Sequence, residues 1–285
     1  MKLIETSLEM AALAASWRQE GQKIALVPTM GWFHQGHLAL MHQARESADR
    51  VVVSLFVNPI QFGPGEDLAA YPRDLQRDMD LAAGEGVDVL YAPTASDMYP
   101  AGFQTTIRVA DLGRGLCGTS RPGHFDGVCT VVMKLFSQTQ AHLALFGEKD
   151  FQQLAVIRRM ARDLDLVVDI VSHPTVREAN GLAMSSRNSY LQEEEKEKAL
   201  CLFRAILFAR EKVKAAIHPL SALALCLEIE KKIGQVSGCV VEYVEIVDSD
   251  SFERCETINV NSRLVMAVKI HERVRLIDNA RLFEL

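Results

Sequence analysis

The chain has 285 residues, enough for one large core or for a main domain with a smaller one beside it. Hydrophobic residues make up 48% and charged residues 24%, the balance of a soluble globular protein, and the net charge of −6 comes without any block of basic residues. That pattern argues against nucleic acid as the main partner, since phosphate contacts need clustered Lys and Arg, but it leaves room for a small anion in a local pocket. No run approaches the ~18 apolar residues of a membrane helix, and the opening "MKLIETSLEM" lacks the apolar core of a signal peptide. The six cysteines are scattered without a CxxC pair, which reads as reduced core thiols in a cytoplasmic protein.

Taken in chain order, residues 7–20 predict a helix capped by Thr6 or Ser7 and stopped by Gly21. "KIALVPTM" suits a buried strand. Residues 36–48 carry an apolar stripe of Leu38, Leu40, Met41 and Ala44 at helical spacing. "VVVSLFV" is apolar on both faces, as a central parallel strand should be. A loop over 58–72, a helix over 73–83 and the strand "VDVLYAP" follow. Further on, "HLALFG" leads into a helix over 150–163, and "LVVDIV" comes next. This alternation predicts βαβ units and a Rossmann-like parallel sheet flanked by helices, with ligands bound beyond the carboxyl ends of the strands. Near residue 190 the composition shifts. Residues 191–217 read as one charged amphipathic helix, 221–233 as another, and "CVVEYVEIV", "RLVMAVKI" and "VRLID" as strands. The expectation is an α/β domain over 1–175 and a smaller α+β domain over 176–285.

Five stretches are odd for structure alone. "VPTMGWFHQGHLAL" places His34 in a turn and His37 near the first turn of a helix, where free N–H groups and the helix dipole favour an anion. Two imidazoles there can donate to a phosphate and to charge developing on a leaving group. A zinc site needs a further placed ligand, and no Cys or carboxylate lies nearby at suitable spacing. A surface pair is the bland alternative. Asn58 and Gln61 in "FVNPIQF" leave a strand into a Gly/Pro-rich loop, where amides orient polar ligands or simply form turns. In "RPGHFDGVCTVVMKLF", Arg121 and His124 precede an apolar helix, and an Arg suits an oxyanion. In "FGEKDFQQ", Gly147, Lys149, Asp150 and Gln153 sit where a strand ends and a helix opens, although the GxxxxGK[ST] pattern is absent. "GLAMSSRN" offers Ser185, Ser186 and Arg187, a set suited to triphosphate oxygens or to a polar interdomain linker.

Together and in this order, the five stretches closely resemble the pantoate–β-alanine ligase family, of the HxGH nucleotidyltransferases, from about Leu3 to "RLIDN". The resemblance implies an AMP-forming ligase that joins pantoate to β-alanine through pantoyl-adenylate, with ATP as substrate and Mg2+ carried mainly by its phosphates. His37, His34, Lys149, Ser185, Ser186 and Arg187 would then face developing charge. Pro28, Thr29, Met30, Gly147, Glu148 and Asp150 would lie along the nucleotide, as would Val176 and Met184. Gln61, Gln153, Asn58, Met30 and Arg121 would hold pantoate or β-alanine. The resemblance also implies a homodimer, with the smaller domain acting as a lid. Trp32 and Phe33 are bulkier than the family's usual residues, and Asn180 replaces its usual aspartate. Class I aminoacyl-tRNA synthetases share the HxGH turn, but no tRNA-binding domain or basic face is legible. A nucleotide sensor without turnover is the alternative from another class, and the intact polar set weighs against it.

Overall fold

The computed structural model describes residues 1–283. The chain divides into two compact units, Met1–Glu148 with Gln152–Pro174, and Lys149–Phe151 with the chain from Thr175 onward.

In the first unit the elements run β1 (Lys2–Ile4), α1 (Ser7–Gln19), β2 (Ile24–Thr29), α2 (Gln35–Ser47), β3 (Arg50–Leu55), α3 (Leu75–Gly84), β4 (Val89–Tyr91), α4 (Ala95–Met98), α5 (Cys117–Ser120), α6 (His124–Thr139), β5 (Leu143–Gly147) and β6 (Asp169–His173), with α7 (Phe151–Asp163) between the last two strands. Thr6 caps α1 by accepting the Glu9 N–H, and Gly21 takes the left-handed conformation at φ 76° that ends it. The six strands form one parallel sheet in the order β1-β4-β3-β2-β5-β6. Helix α2 packs on β2, β3 and β5, and α1 and α6 pack on each other and on β2. Strand residues 24–27 and 51–53 are fully buried, the mark of a sheet covered on both faces. The predicted α/β reading therefore stands. Edge strand β1 went unread because three residues carry no periodicity.

One register detail positions everything that follows. β2 stays with β3 as far as Thr29–Leu55, and β5 stays with β6 as far as Gly147–His173. Yet β2 and β5 pair only at Ala25–Leu143 and Leu26–Ala144. The N–H and C=O of Ile24 both bond to His142, so alternate residues of β2 direct their backbone groups toward β5. Pro28 falls on that side and has no N–H to offer. The two central strands part at their carboxyl ends, where an open α/β sheet holds its ligand.

The second unit contains α8 (Glu193–Ala199), α9 (Cys201–Ala215), α10 (Ala222–Gly234), β7 (Cys239–Asp248), β8 (Ser262–Ile270) and β9 (Val274–Arg281). Its strands form an antiparallel sheet in the order β7-β8-β9, and an apolar core gathers residues of all three helices and all three strands. The single helix read over 191–217 is two, divided at Leu200. Ala199, Leu200, Cys201 and Leu202 are all buried, and a straight surface helix cannot bury four consecutive residues on one stripe. The cysteines are free thiols.

The His142 ring gives the first unit a pH dependence. Burial, and then the charges of Arg18 and Lys23, lower its pKa below the ordinary imidazole value. As pH falls through ~6.5 the unfolded chain takes up this proton first, so the contribution of His142 is complete above that value and is lost below it. Melting temperature should fall more steeply between pH 7 and pH 5 in the wild type than in His142→Asn, which keeps an acceptor without titrating; parallel curves would refute this.

Candidate functional site

At the carboxyl end of β2 the chain turns sharply. Gly31 (φ 89°) and Trp32 (φ 53°) are successive left-handed residues, and the carboxylate of Asp78 from α3 accepts both following N–H groups, Trp32 at 2.7 Å and Phe33 at 2.8 Å. Arg77 donates to the Phe33 carbonyl at 2.7 Å and lies over the Trp32 ring. Phe33 is fully buried beneath α2, with its ring 5.5 Å from that of His37. The two bulky departures at Trp32 and Phe33 thus serve the turn and the core.

His34 is the N-cap of α2 and His37 its third residue. Gly36 N–H donates to His34 Nδ1 at 3.1 Å, and His34 N–H donates to His37 Nδ1 at 3.3 Å. The rings stack with centroids 4.1 Å apart. This is a capping box in which imidazoles replace the usual hydroxyl and carboxylate. An Nδ1 that accepts a hydrogen bond carries no proton, so each neutral ring keeps its hydrogen on Nε2. The arrangement provides two N–H donors of fixed tautomer at a positive helix end.

Around Gln61, many of the predicted side chains turn out to bond the protein itself. Gln61 is a buried polar side chain, and its Nε2 points at Met30 Sδ, 3.2 Å away. Asn58 is fully buried: its Nδ2 donates to Gln61 Oε1 (3.0 Å) and to the Gly127 carbonyl (3.1 Å), and its Oδ1 accepts from the Tyr99 hydroxyl (2.8 Å). Asn58 thus orients the Gln61 side chain through its amide hydrogens. Arg121 is bonded within the protein as well. Its guanidinium grips Glu66 at 2.8 and 2.6 Å and meets His124 Nε2 at 3.0 Å. Burial pushes the Glu66 carboxyl up, but Arg121 and the Gly63 backbone more than reverse this and hold it below its usual value. His124 Nδ1 lies 2.9 Å from the Gln61 carbonyl. Arg121 therefore ties loop 58–72 to the start of α6. Thr29 is committed as well, donating to the Ser54 carbonyl at 2.6 Å and accepting the Gly31 N–H. Of the two adjacent glutamines on α7, Gln152 is buried and bonds Leu112, Gly115 and Cys117, while Gln153 is half-buried and carries no such duty. At the end of β5, Gly147 pairs with His173, and Glu148 accepts from the Ser172 hydroxyl at 3.3 Å.

In the second unit, Lys149 and Asp150 form an ion pair of 3.6 Å. The Lys149 carbonyl accepts from Asn279 Nδ2 at 2.9 Å, and the Phe151 ring is stacked on Phe252 and covered by the Arg263 guanidinium. Residues 176–184 form a hairpin that brings Val176 and Met184 opposite each other, with Met184 N–H donating to the Val176 carbonyl at 3.0 Å. Gly181 must be glycine here, since a Cβ would stand 2.1 Å from the Phe203 ring. Asn180 Oδ1 accepts the Leu182 N–H at 3.1 Å, a bond the family's aspartate would make equally well. Arg177 anchors the hairpin with two bonds to Asp278 of β9, at 2.7 and 2.9 Å. The chain then enters a short 3-10 turn, Ser186–Tyr190, capped by the Ser185 hydroxyl, which accepts the Arg187 N–H. Ser186 is buried. Among the described residues, no three His, Cys, Asp or Glu side chains converge as a metal site.

Asp78, Tyr99, Glu66 and Asn279 escaped the sequence reading. Only Asp78 left a trace: it lies four residues before Ala82, on the buried side of α3, where an acid is out of place.

Comparison with known proteins matches residues 2–281 to the family described as pantoate-beta-alanine ligase. The chain is 51% identical to the pantothenate synthetase of Geotalea uraniireducens, covering 100% of both chains, and 49% identical to that of Desulfotalea psychrophila, covering 99% of each. Among solved structures it superposes on pantothenate synthetase from Thermus thermophilus with a TM-score of 0.93 at 42% identity, covering 100% of both chains. A pantoate-beta-alanine ligase from Francisella tularensis, complexed with beta-gamma ATP and beta-alanine, gives a TM-score of 0.82 at 33% identity, covering 99% of this chain and 98% of that one.

Gly127 sets how closely α6 approaches the Gln61 turn. A Cβ there would lie 2.6 Å from the Ile60 carbonyl oxygen and 2.7 Å from Gln61 Cα, both backbone atoms that cannot swing aside. Gly127→Ala should cost roughly 1–3 kcal/mol in urea unfolding, the usual penalty of overpacking. An unchanged unfolding midpoint would show that the approach is looser than described.

Proposed function

The chain belongs to the pantoate–β-alanine ligase family, and on that premise we propose which of its side chains carry the reaction. The reaction is the ATP-dependent condensation of pantoate with β-alanine. The pantoate carboxylate attacks the α-phosphate of ATP, pyrophosphate departs, and the amine of β-alanine then displaces AMP from pantoyl-adenylate to give pantothenate. A carboxylate is a poor acylating agent, and AMP makes it a good one. The enzyme's task is to place the reactants and to meet charge on the phosphorus and on the departing pyrophosphate.

The observation that carries the assignment is the capping pair at the start of α2. His34 and His37 each present a neutral ring with hydrogen on Nε2, at a helix N-terminus just past the parting of β2 and β5. We assign them to the α-phosphate and the leaving group. Lys149, Ser185, Ser186 and Arg187 supply further positive charge and hydroxyl donors to the phosphates. The backbone of Pro28, Thr29 and Met30, with Gly147, Glu148, Asp150, Val176 and Met184, accompanies the nucleoside. Gln61 and Gln153, neutral amides suited to hydroxyls, take pantoate beside Met30, and Asn58 and Arg121, which also hold the Gln61 turn, complete the region that takes pantoate or β-alanine. Magnesium, expected on the triphosphate beside Lys149, Ser185, Ser186 and Arg187, would supply charge neutralisation there without a cage of protein ligands. Functionally we divide the chain at 175/176 into a pantoate- and ATP-binding domain and a lid. The thiols, none joined in a disulfide although Cys201 and Cys239 lie only 3.9 Å apart, suit a reducing cytoplasm.

Two substitutions separate the roles. His37→Ala should slow pyrophosphate release, measured with ATP, magnesium and pantoate together, by on the order of 10²–10³ while pantoate still binds. Gln61→Ala should instead raise the pantoate requirement and leave ATP binding intact by calorimetry. Near-normal release by His37→Ala, or equal weakening of both ligands by Gln61→Ala, would overturn the split. Nucleotide binding by the wild type without any pyrophosphate release would favour a sensor.

We also propose a homodimer, on the resemblance to the family alone. Light scattering should give about twice the 31.7 kDa chain mass. A mass of one chain at working concentration would refute it.

A further inference from the structure

Asp78 is a buried carboxylate for which the assigned reaction has no use. Its side chain is 1% exposed, and it sits on α3, outside every motif that resembles the family. Its two oxygens are divided between consecutive peptide groups: Oδ2 takes the Trp32 N–H and Oδ1 the Phe33 N–H. Both belong to the turn that delivers His34. Gly31 presses against the same carboxylate, since a Cβ on it would lie 3.1 Å from Oδ2. Arg77 completes the clamp, bonding the Phe33 carbonyl and touching Asp78 Oδ1 at 3.3 Å.

A charge buried this deeply costs stability unless its bonds are good ones, and apolar packing usually stabilises a core as well. Burial indeed raises the carboxyl above its ordinary pKa, against the pull of the two N–H bonds and of Arg77. What an apolar residue could not do is hold two successive N–H groups of a left-handed turn. Trp32 at φ 53° bears the steric strain that a β-carbon meets there, so the turn needs an outside hold.

We infer that Asp78 is a positioning residue for the adenylation step: by fixing the Trp32–Phe33 peptides it sets where the His34–His37 capping pair stands. This rests on the assignment of those histidines to the α-phosphate. Phe33 is the link, since its backbone is held by Asp78 and Arg77 while its ring packs on His37. Asp78→Asn keeps the shape but replaces one acceptor oxygen with an NH2 that opposes a backbone N–H.

The test reads ring state and turnover separately. Imidazole ¹⁵N spectra of the wild-type enzyme should show His34 and His37 with hydrogen on Nε2. In Asp78→Asn those signals should shift or broaden, and single-turnover pyrophosphate release should fall about 10–100-fold, the scale of a misplacement near 1 Å. The pantoate KM should stay within about twofold, because the Gln61 region is untouched. Asp78→Glu, which retains the charge but moves it by one methylene, gives the same readouts if Asp78→Asn does not fold. Unmoved ring signals would overturn the positioning role whatever the turnover, and so would shifted signals with wild-type turnover. His37→Ala measured alongside separates the two ideas: wild-type release in that variant defeats the histidine assignment and leaves the ¹⁵N spectra to judge whether Asp78 holds the rings.

Discussion

A parallel sheet buried on both faces has little freedom except at the ends of its strands. In this protein that freedom is used between β2 and β5. Each is held firmly by its outer neighbour, β2 by β3 and β5 by β6, but the two share only a short register before Pro28 withdraws the donor that would continue it. The gap has a basis in the chemistry of one residue, because proline at 28 cannot donate toward β5 however the side chains pack. From there the chain must still reach a helix on the sheet's face within a few residues. It does so by the Gly31–Trp32 turn, which leaves His34 and His37 at the start of α2. Backbone constraint, capping and the histidines proposed to meet the phosphate are thus one continuous stretch.

Beside this stretch stands a set of polar groups that serve one another. Asn58, Tyr99, His124, Arg121 and Glu66 form a chain of bonds that ends on the side chain and the carbonyl of Gln61. Buried polar groups of this kind are costly if half-satisfied and rigid when complete. The result is a glutamine whose direction is fixed before any ligand arrives. Preorganised amides suit a substrate that must be held at hydroxyls and a carboxylate while the carboxylate reacts, since orientation contributes directly to the rate.

Much of this was legible in the sequence, for identifiable reasons. The β2 and β3 runs are apolar on both faces, the α2 stripe has clean helical spacing, and the HxGH turn stands at the strand-to-helix boundary, so period and punctuation agreed there. Other features were hidden because they depend on distance in space. Nothing in "DLQRDMD" says that one of its three aspartates accepts hydrogen bonds from a turn some 45 residues earlier. Asn58 and Arg121 stand out in the sequence, but their partners Tyr99, Gly127 and Glu66 do not. The adjacent Gln152 and Gln153 differ only by the 100° between helical neighbours, which buries the first among loop carbonyls and leaves the second half-buried. The break at Leu200 was invisible because each half of 191–217 is amphipathic by itself.

The capping pair also explains why histidine is suited to positions where serine or glutamate would cap as well. A carboxylate that accepts a backbone N–H has no hydrogen to give and would repel a phosphate, while a hydroxyl keeps one hydrogen that is free to rotate. An imidazole has a second nitrogen on the far side of the ring. When Nδ1 accepts, Nε2 must carry the hydrogen, so one side chain in one tautomer caps the helix and keeps a donor suited to an anion. The ring is also neutral in this role, so it adds no net charge to a helix end that already has positive character. Formal positive charge toward phosphates is left to Lys149 and Arg187 in the proposed reading, and the histidines contribute direction. Direction is what an in-line displacement at phosphorus requires of its donors, because charge appears on particular oxygens at the moment of transfer and donors already aimed there need not reorganise.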